Sequence, residues 1–155
     1  MTMTLGIDLT VLPFLVAYDA AEVDLVRRSR PRSTPELLKG SGELTDLDVI
    51  AERRNLAQAL ILRLLTPRGS LAGLGHSQYG SRLHELIGQR KTTALRNLCR
   101  VYVLEVVAQE PRVEDKAVEL TFDPLAETQS SFVFTLAVQP KAGGDPLGVS
   151  LEVAL

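Results

Sequence analysis

The sequence predicts an α+β fold: three helices packed on a small antiparallel β-meander, with an extended arm at the N-terminus. Two observations carry this reading. The hydrophobic period is 3.6 residues from about Glu52 to Gln109, then switches to 2 after Pro111. Helices grouped on one side of a boundary and strands on the other give two separate layers, not an alternately wound α/β sheet. The first 47 residues hold neither pattern for long. They divide the chain into an N-terminal arm and linker, 1–47, and one domain, 48–155.

Each element follows from its own residues. In "LGIDLTV" (5–11), Leu5, Ile7, Leu9 and Val11 fall on one side, the period of a half-buried strand. Pro13 ends that strand or puts it at an edge. "RRSRPRSTPELLKGSGELTD" has the prolines and glycines of a linker, and its arginines read as a solvated charge cluster before they read as a docking patch. From Glu52, Leu56, Ala59, Leu60 and Leu64 share a helix face, widened by Ala57, Ile61 and Leu65. Thr66-Pro67 closes this helix, because proline pushes its predecessor out of the α region. After a glycine-rich connection, a short second helix is expected from Ser81 to Ile87, stopping at Gly88.

The third helix runs from Thr92 or Thr93 to about Gln109. It is apolar nearly all round and is therefore expected to be central and packed on several sides. Then Val118, Leu120 and Phe122 alternate with polar or small residues, as do Phe132, Phe134, Leu136 and Val138. Leu147, Val149, Leu151, Val153 and Leu155 continue the pattern to the last residue. Three strands with turn signals between them make a meander with one face on the helices. The last strand is long and regular with a single charge, Glu152. Its edge calls for a covering strand, either the N-terminal one, that of a second copy, or a partner's.

Composition bounds the function. The 155 residues can bury roughly 70% of their unfolded surface. A hydrophobic fraction of 45% and a charged fraction of 23% are globular values, and a net charge of -2 advertises no nucleic-acid partner. A single cysteine excludes an internal disulfide framework and fits a reducing compartment; Cys99, inside an apolar helical run, reads as a buried small hydrophobe. No stretch approaches 18 apolar residues, so no direct membrane span is expected, and the N-terminus lacks the basic region of a signal peptide.

Catalytic and metal motifs are missing. "GHSQYG" lacks the spacing of a nucleophile elbow. "HELIG" is half of a zinc-binding H-E-x-x-H with Gly88 where the second histidine belongs. His76, His84 and Cys99 do not make a tetrahedral site, and no cofactor is implied. Glu105 and Glu110 lie about 140° apart around a helix, so they are not a matched acid pair. The expectation is a protein that is not an enzyme.

One short stretch stands out. In "VVAQEPRVED", Glu110 sits at the helix end where the macrodipole favours cations, beside a proline that removes a donor. It needs a cation: Arg112 is nearest in sequence, and Arg68, Arg82, Arg96 and Arg100 are alternatives.

"NLAQALILRLLTPRGSL" (55–71), "YGSRLHELIG" (79–88) and "EPRV" (110–113) together resemble the phage baseplate-wedge family of GPW type, which includes sheath initiators of contractile injection systems and TssE-like components of type VI secretion. The resemblance covers about residues 49 to 155. It implies a structural baseplate component without cofactors, built on helices against a small antiparallel sheet. It implies as partners the baseplate wedge proteins, the sheath protein and the inner tube or spike-hub proteins, in a sixfold arrangement. Glu110, Pro111 and Arg112 map onto the family's wedge-contact motif. Leu147, Val149, Leu151, Val153 and Leu155 form the strand that would template the first sheath ring by β-strand addition. Such a protein would be cytoplasmic during assembly and then part of a phage tail or phage-like injection particle. Two other classes stay open on the resemblance: a peptidoglycan-degrading lysozyme-like enzyme, since some members carry that label, and a small regulatory adaptor of IraD-like fold.

Overall fold

The computed structural model describes residues 5–11, 27–30, 44–47 and 49–155, with the backbone alone at 27–30, 44–47 and 115–117. In chain order the elements are β1 (Ile7–Leu9), β2 (Arg27–Arg30), β3 (Leu44–Leu47), β4 (Val49–Ala51), α1 (Glu52–Leu65), α2 (Thr93–Ala108), β5 (Val113–Phe122), β6 (Ser131–Pro140) and β7 (Leu147–Ala154). Two 3₁₀ turns, Ala72–Leu74 and Leu83–Leu86, lie between the helices.

The described residues hold two α-helices, not three. The segment expected as the second helix is one 3₁₀ turn at Leu83–Leu86. The seven residues from Ser81 to Ile87 are too few to repay helix nucleation, so a tighter four-residue turn forms instead. Ser81 is occupied otherwise: its N–H donates to Thr66 O (2.8 Å) and its carbonyl accepts from Arg68 N (2.8 Å).

α1 buries Leu56, Leu60 and Leu64 completely or nearly so, with Ala57 and Ile61 beside them. It ends at Thr66, whose N–H returns to Leu62 O. α2 starts at a capping Thr92, whose side chain accepts from Leu95 N. Its inner face carries Cys99, Tyr102, Val103, Val106 and Val107. Burial pushes the Cys99 thiol up to about 12. The expectation that α2 is packed on several sides is overturned. Leu98, Val101 and Leu104 are 39%, 57% and 37% exposed. A two-layer fold offers one sheet face to a helix, and nothing among the described residues forms a third layer over its back.

β5, β6 and β7 form the antiparallel meander in sequence order. Phe132, Phe134, Leu136 and Val138 of β6 are fully buried, and every second residue of β7 joins them. The two outer edges differ. Leu155 N–H donates to Ser130 O, continuing the β6–β7 register, so the narrow pairs fall at Val153, Leu151, Val149 and Leu147. The main-chain groups of Gly148, Ser150, Glu152 and Ala154 therefore turn outward, and among the described residues no strand pairs with them. At the β5 edge the outward carbonyl of Leu120 accepts from Arg100 of α2 (3.0 Å), and the β5–β6 register shifts between Val113 and Val118.

The N-terminal strand covers neither edge. β1 pairs antiparallel with β4, with Ile7 opposite Ala51 and Leu9 opposite Val49. Its expected alternation also fails. Leu5 is buried, whereas Ile7 and Leu9 are exposed. Gly6, at φ +81°, turns the chain over between Leu5 and Ile7, which reverses the facing that simple alternation predicts. The stretch whose composition reads as a linker carries β2 and β3, paired antiparallel with Arg27 opposite Leu47. The strand residues flank the Pro- and Gly-rich part, so turn composition masked them.

Candidate functional site

The three motif stretches converge at the C-terminal end of α2. Thr66 to Arg68 bridges directly to Ser81 through main-chain hydrogen bonds. Gly80 makes this approach feasible: a Cβ there would lie 2.4 Å from Thr66 O, at φ +104°. Arg68 then reaches across to α2, where NH1 meets Glu105 Oε1 (2.6 Å). With its amide oriented to suit, Gln109 accepts from Arg68 NH2 (2.9 Å) and donates to Gln78 O (3.2 Å).

Glu110 is the centre of this corner and is 2% exposed. Arg112 clasps it on both oxygens, Nε to Oε1 at 2.6 Å and NH2 to Oε2 at 3.1 Å. Arg63 of α1 stands 3.9 Å from Oε2, with NH1 on the helix-terminal carbonyl of Gln109 (3.2 Å) and its guanidinium 4.8 Å from the Tyr79 ring centre. Two cations thus occupy the negative end of the α2 dipole, and the acid sits between them. Burial pushes the Glu110 carboxyl up, but the Arg112 hydrogen bonds and charge, with Arg63, outweigh this and hold it below its ordinary value. The reverse acts on Arg112, whose pKa is raised by the Glu110 hydrogen bond.

The other arginines that could have neutralised Glu110 are engaged elsewhere. Arg68 pairs with Glu105, Arg82 with Glu85 (2.8 Å) and Arg96 with Glu127 (2.6 Å), while Arg100 takes the Leu120 carbonyl. Arg63 was legible only as a residue off the apolar face of α1. Its role depends on helix packing that brings it beside Gln109.

The remaining fork atom of Arg112, NH1, donates to Leu5 O (3.0 Å), which also accepts from Asn55 Nδ2 (3.0 Å). Gln58 serves the far end of the strand, accepting from Val11 N and donating to Leu9 O, both at 2.8 Å. Neither amide belongs to the apolar face that the hydrophobic period of α1 marks out. Both are buried. Their signal was present: two uncharged amides one turn apart on an otherwise apolar or charged helix. On the other side, Lys141 Nζ donates to Pro111 O (2.9 Å), and Lys141 N to Arg112 O (2.9 Å). The corner therefore joins α1, α2, β1 and the end of β6.

Of the residues predicted for partner contact, Glu110 lies inside, Pro111 is exposed, and the Arg112 side chain is 26% exposed. Leu147, Val149, Leu151 and Val153 direct their side chains into the core and their main-chain groups to β6. Contact along the β7 edge falls to the residues between them. A shallow cleft of about 310 Å³ lies beside the corner, lined by Arg63, His76, Tyr79 and Gln109 among others. Among the described residues no three His, Cys, Asp or Glu side chains group to hold a metal, and no helix is long and apolar enough to cross a membrane.

No family model matches the chain, and no curated protein matches it. A solved structure does: the crystal structure, at 1.44 Å, of a candidate tail lysozyme from Geobacter sulfurreducens. It superposes with a TM-score of 0.56 over 66% of this chain and 89% of that one, at 17% identity. The two share a fold.

Proposed function

We propose that this chain is a structural subunit of the baseplate of a contractile phage tail or phage-like injection device. It joins wedge proteins and templates the first sheath ring by β-strand addition. The observation that carries this reading is the edge of β7, which no strand among the described residues covers. Eight residues in regular register offer outward main-chain groups at Gly148, Ser150, Glu152 and Ala154, with the side chains between them anchored in the core. Main-chain pairing along such an edge gives affinity with little demand on partner sequence, and repetition around a ring multiplies it. Support comes also from the three motif stretches meeting at one corner. Wedge contact there would fall on Pro111, the exposed part of Arg112 and the neighbouring cleft, because Glu110 is sealed beneath.

The test is Glu152→Pro. Proline at this position removes an outward N–H and leaves the β6 ladder intact, so the protein folds. Baseplates should still form, and sheath assembly on them should fail. Sheaths of normal length on that background would refute strand addition. Val149→Pro serves as the contrast, because its N–H belongs to the β6 ladder and its loss should unfold the sheet.

The name of the structural neighbour raises a hydrolase reading. A glycosidase acid needs a raised pKa so that it is protonated when it acts. Glu85 is drawn down to about 2 by hydrogen bonds from Arg82 and Tyr102, and Glu110 is held below its ordinary value. Neither environment suits a general acid. Peptidoglycan turnover by the purified protein that disappears in Glu85→Gln or Glu110→Gln would overturn the structural reading.

A further inference from the structure

β1 is held largely by its main chain. Leu5 O accepts from Asn55 and Arg112, Gly6 O from Glu52 N (3.1 Å), and Gln58 binds both Leu9 O and Val11 N. β4 supplies the ladder. Of the apolar side chains at 5, 7 and 9, only Leu5 enters the core; Ile7 and Leu9 face solvent. Main-chain bonds for affinity and one pocket for register are the means by which proteins bind extended peptides. The receptor amides, Asn55 and Gln58, stand three residues apart on α1, and both are buried with the strand in place. Emptying it would strip both amides and Arg112 of these acceptors and donors, so the site is incomplete without a strand.

The groove is also selective. At Gly6, φ is +81° and a Cβ would lie 3.1 Å from Asn55 Nδ2, so an ordinary extended segment with a side chain there fits poorly. The sequence that fits is this chain's own N-terminus. Seventeen residues, 10–26, connect β1 to β2, a contour of up to about 60 Å. That exceeds the roughly 30 Å diameter of a small domain. Exchange between copies remakes every bond of the closed form without a new contact.

We propose that the groove formed by β4, Asn55, Gln58 and Arg112 is an exchangeable strand-binding site that takes the N-terminal strand of a second copy of this chain. Such exchange does not depend on the sheath-templating role.

Glu52 N bonding to Gly6 O makes the neighbouring pair, Ile7 and Ala51, a non-hydrogen-bonded one, with Cα atoms about 4.5 Å apart. That lies within disulfide reach, and both residues are exposed, so substitution leaves the core untouched. Full-length Ile7→Cys and Ala51→Cys proteins are mixed at high concentration and mildly oxidised. Strand exchange predicts a covalent heterodimer several-fold above either homodimer, falling to the homodimer level when Gly6→Val is added to the Ile7→Cys chain. The double Ile7→Cys/Ala51→Cys protein should close internally when dilute and between copies when concentrated. A heterodimer no more abundant than the homodimers overturns the proposal, as does a double variant that closes only internally at every concentration. A double variant that closes in neither way overturns it too, because the strand would then not be seated on β4.

Discussion

Removing Arg112 isolates the physics of the corner. In Arg112→Ala, Glu110 keeps its burial and loses the 2.6 and 3.1 Å side-chain bonds, retaining the main-chain N–H of residue 112 at 3.3 Å and Arg63 at 3.9 Å. Taking one partner from a buried pair costs roughly 3–5 kcal/mol. The 26% exposure of the Arg112 side chain and the remaining Arg63 favour the lower end, about 3 kcal/mol. With a urea m-value of about 2 kcal/mol/M, the midpoint should fall by about 1.5 M. The pH dependence carries a sign. In the natural protein the folded pKa of Glu110 is depressed, so its contribution is present above the unfolded value of about 4.3 and is lost as pH falls through the folded one. In the variant, burial is opposed by the main-chain N–H of residue 112 and by Arg63 without the guanidinium of Arg112, so the folded pKa of Glu110 moves up from its value in the natural protein. The difference between the two proteins is then full above both folded values and shrinks as pH falls through them. The stability gap between the two proteins should therefore narrow from pH 7 to pH 4 in urea titrations. A gap below about 1 kcal/mol at pH 7, or one that widens towards pH 4, would refute this account of the corner.

Other positions give shorter tests. Gly80→Ala drives a Cβ against Thr66 O and demands φ +104° of an L side chain, so thermal unfolding should show a loss of about 3 kcal/mol. Glu52 stands at φ +55° at the start of α1, and Glu52→Gly should relieve about 0.5–1 kcal/mol net, seen as a Tm higher by about 2 °C; an unchanged Tm would argue against strain there. Val101→Lys, on the open face of α2, should stay within about 0.5 kcal/mol of the natural protein in urea; a larger loss would mean that face is covered.

The regular elements were legible because each follows from a local rule. Pro67 and Thr92 bound the helices, and the switch of period at Pro111 announced the meander within a residue or two of β5. Apart from the short second helix and the strands masked by turn composition, the errors share a cause: they concern which face of an element meets which neighbour. An apolar α2 gave no sign that one of its faces would lack a covering layer. Gly6 reversed the facing of β1 by one backbone angle, which alternation counting cannot see. At the corner, the sequence showed that Glu110 needed a cation and offered Arg112, which is correct. It could not offer Arg63, 47 residues away, because that pairing exists only once α1 lies beside the end of α2. Asn55 and Gln58 were missed because buried amides look like surface ones until a strand arrives to use them.

The unequal edges of the meander have a consequence for self-association. A sheet with two open edges is bivalent, and copies can stack edge to edge without limit, the geometry of a fibre. Here Arg100 occupies the Leu120 carbonyl at one edge and the register shift bends it, while among the described residues no strand pairs with β7 at the other. Among the described residues the sheet thereby offers one regular, unpaired edge. Growth through it stops after one addition: a partner strand in an assembly or, failing that, a second β7 in a closed two-fold pair. A chain with a long apolar last strand can in this way remain competent to receive one strand without becoming a seed for its own polymerisation.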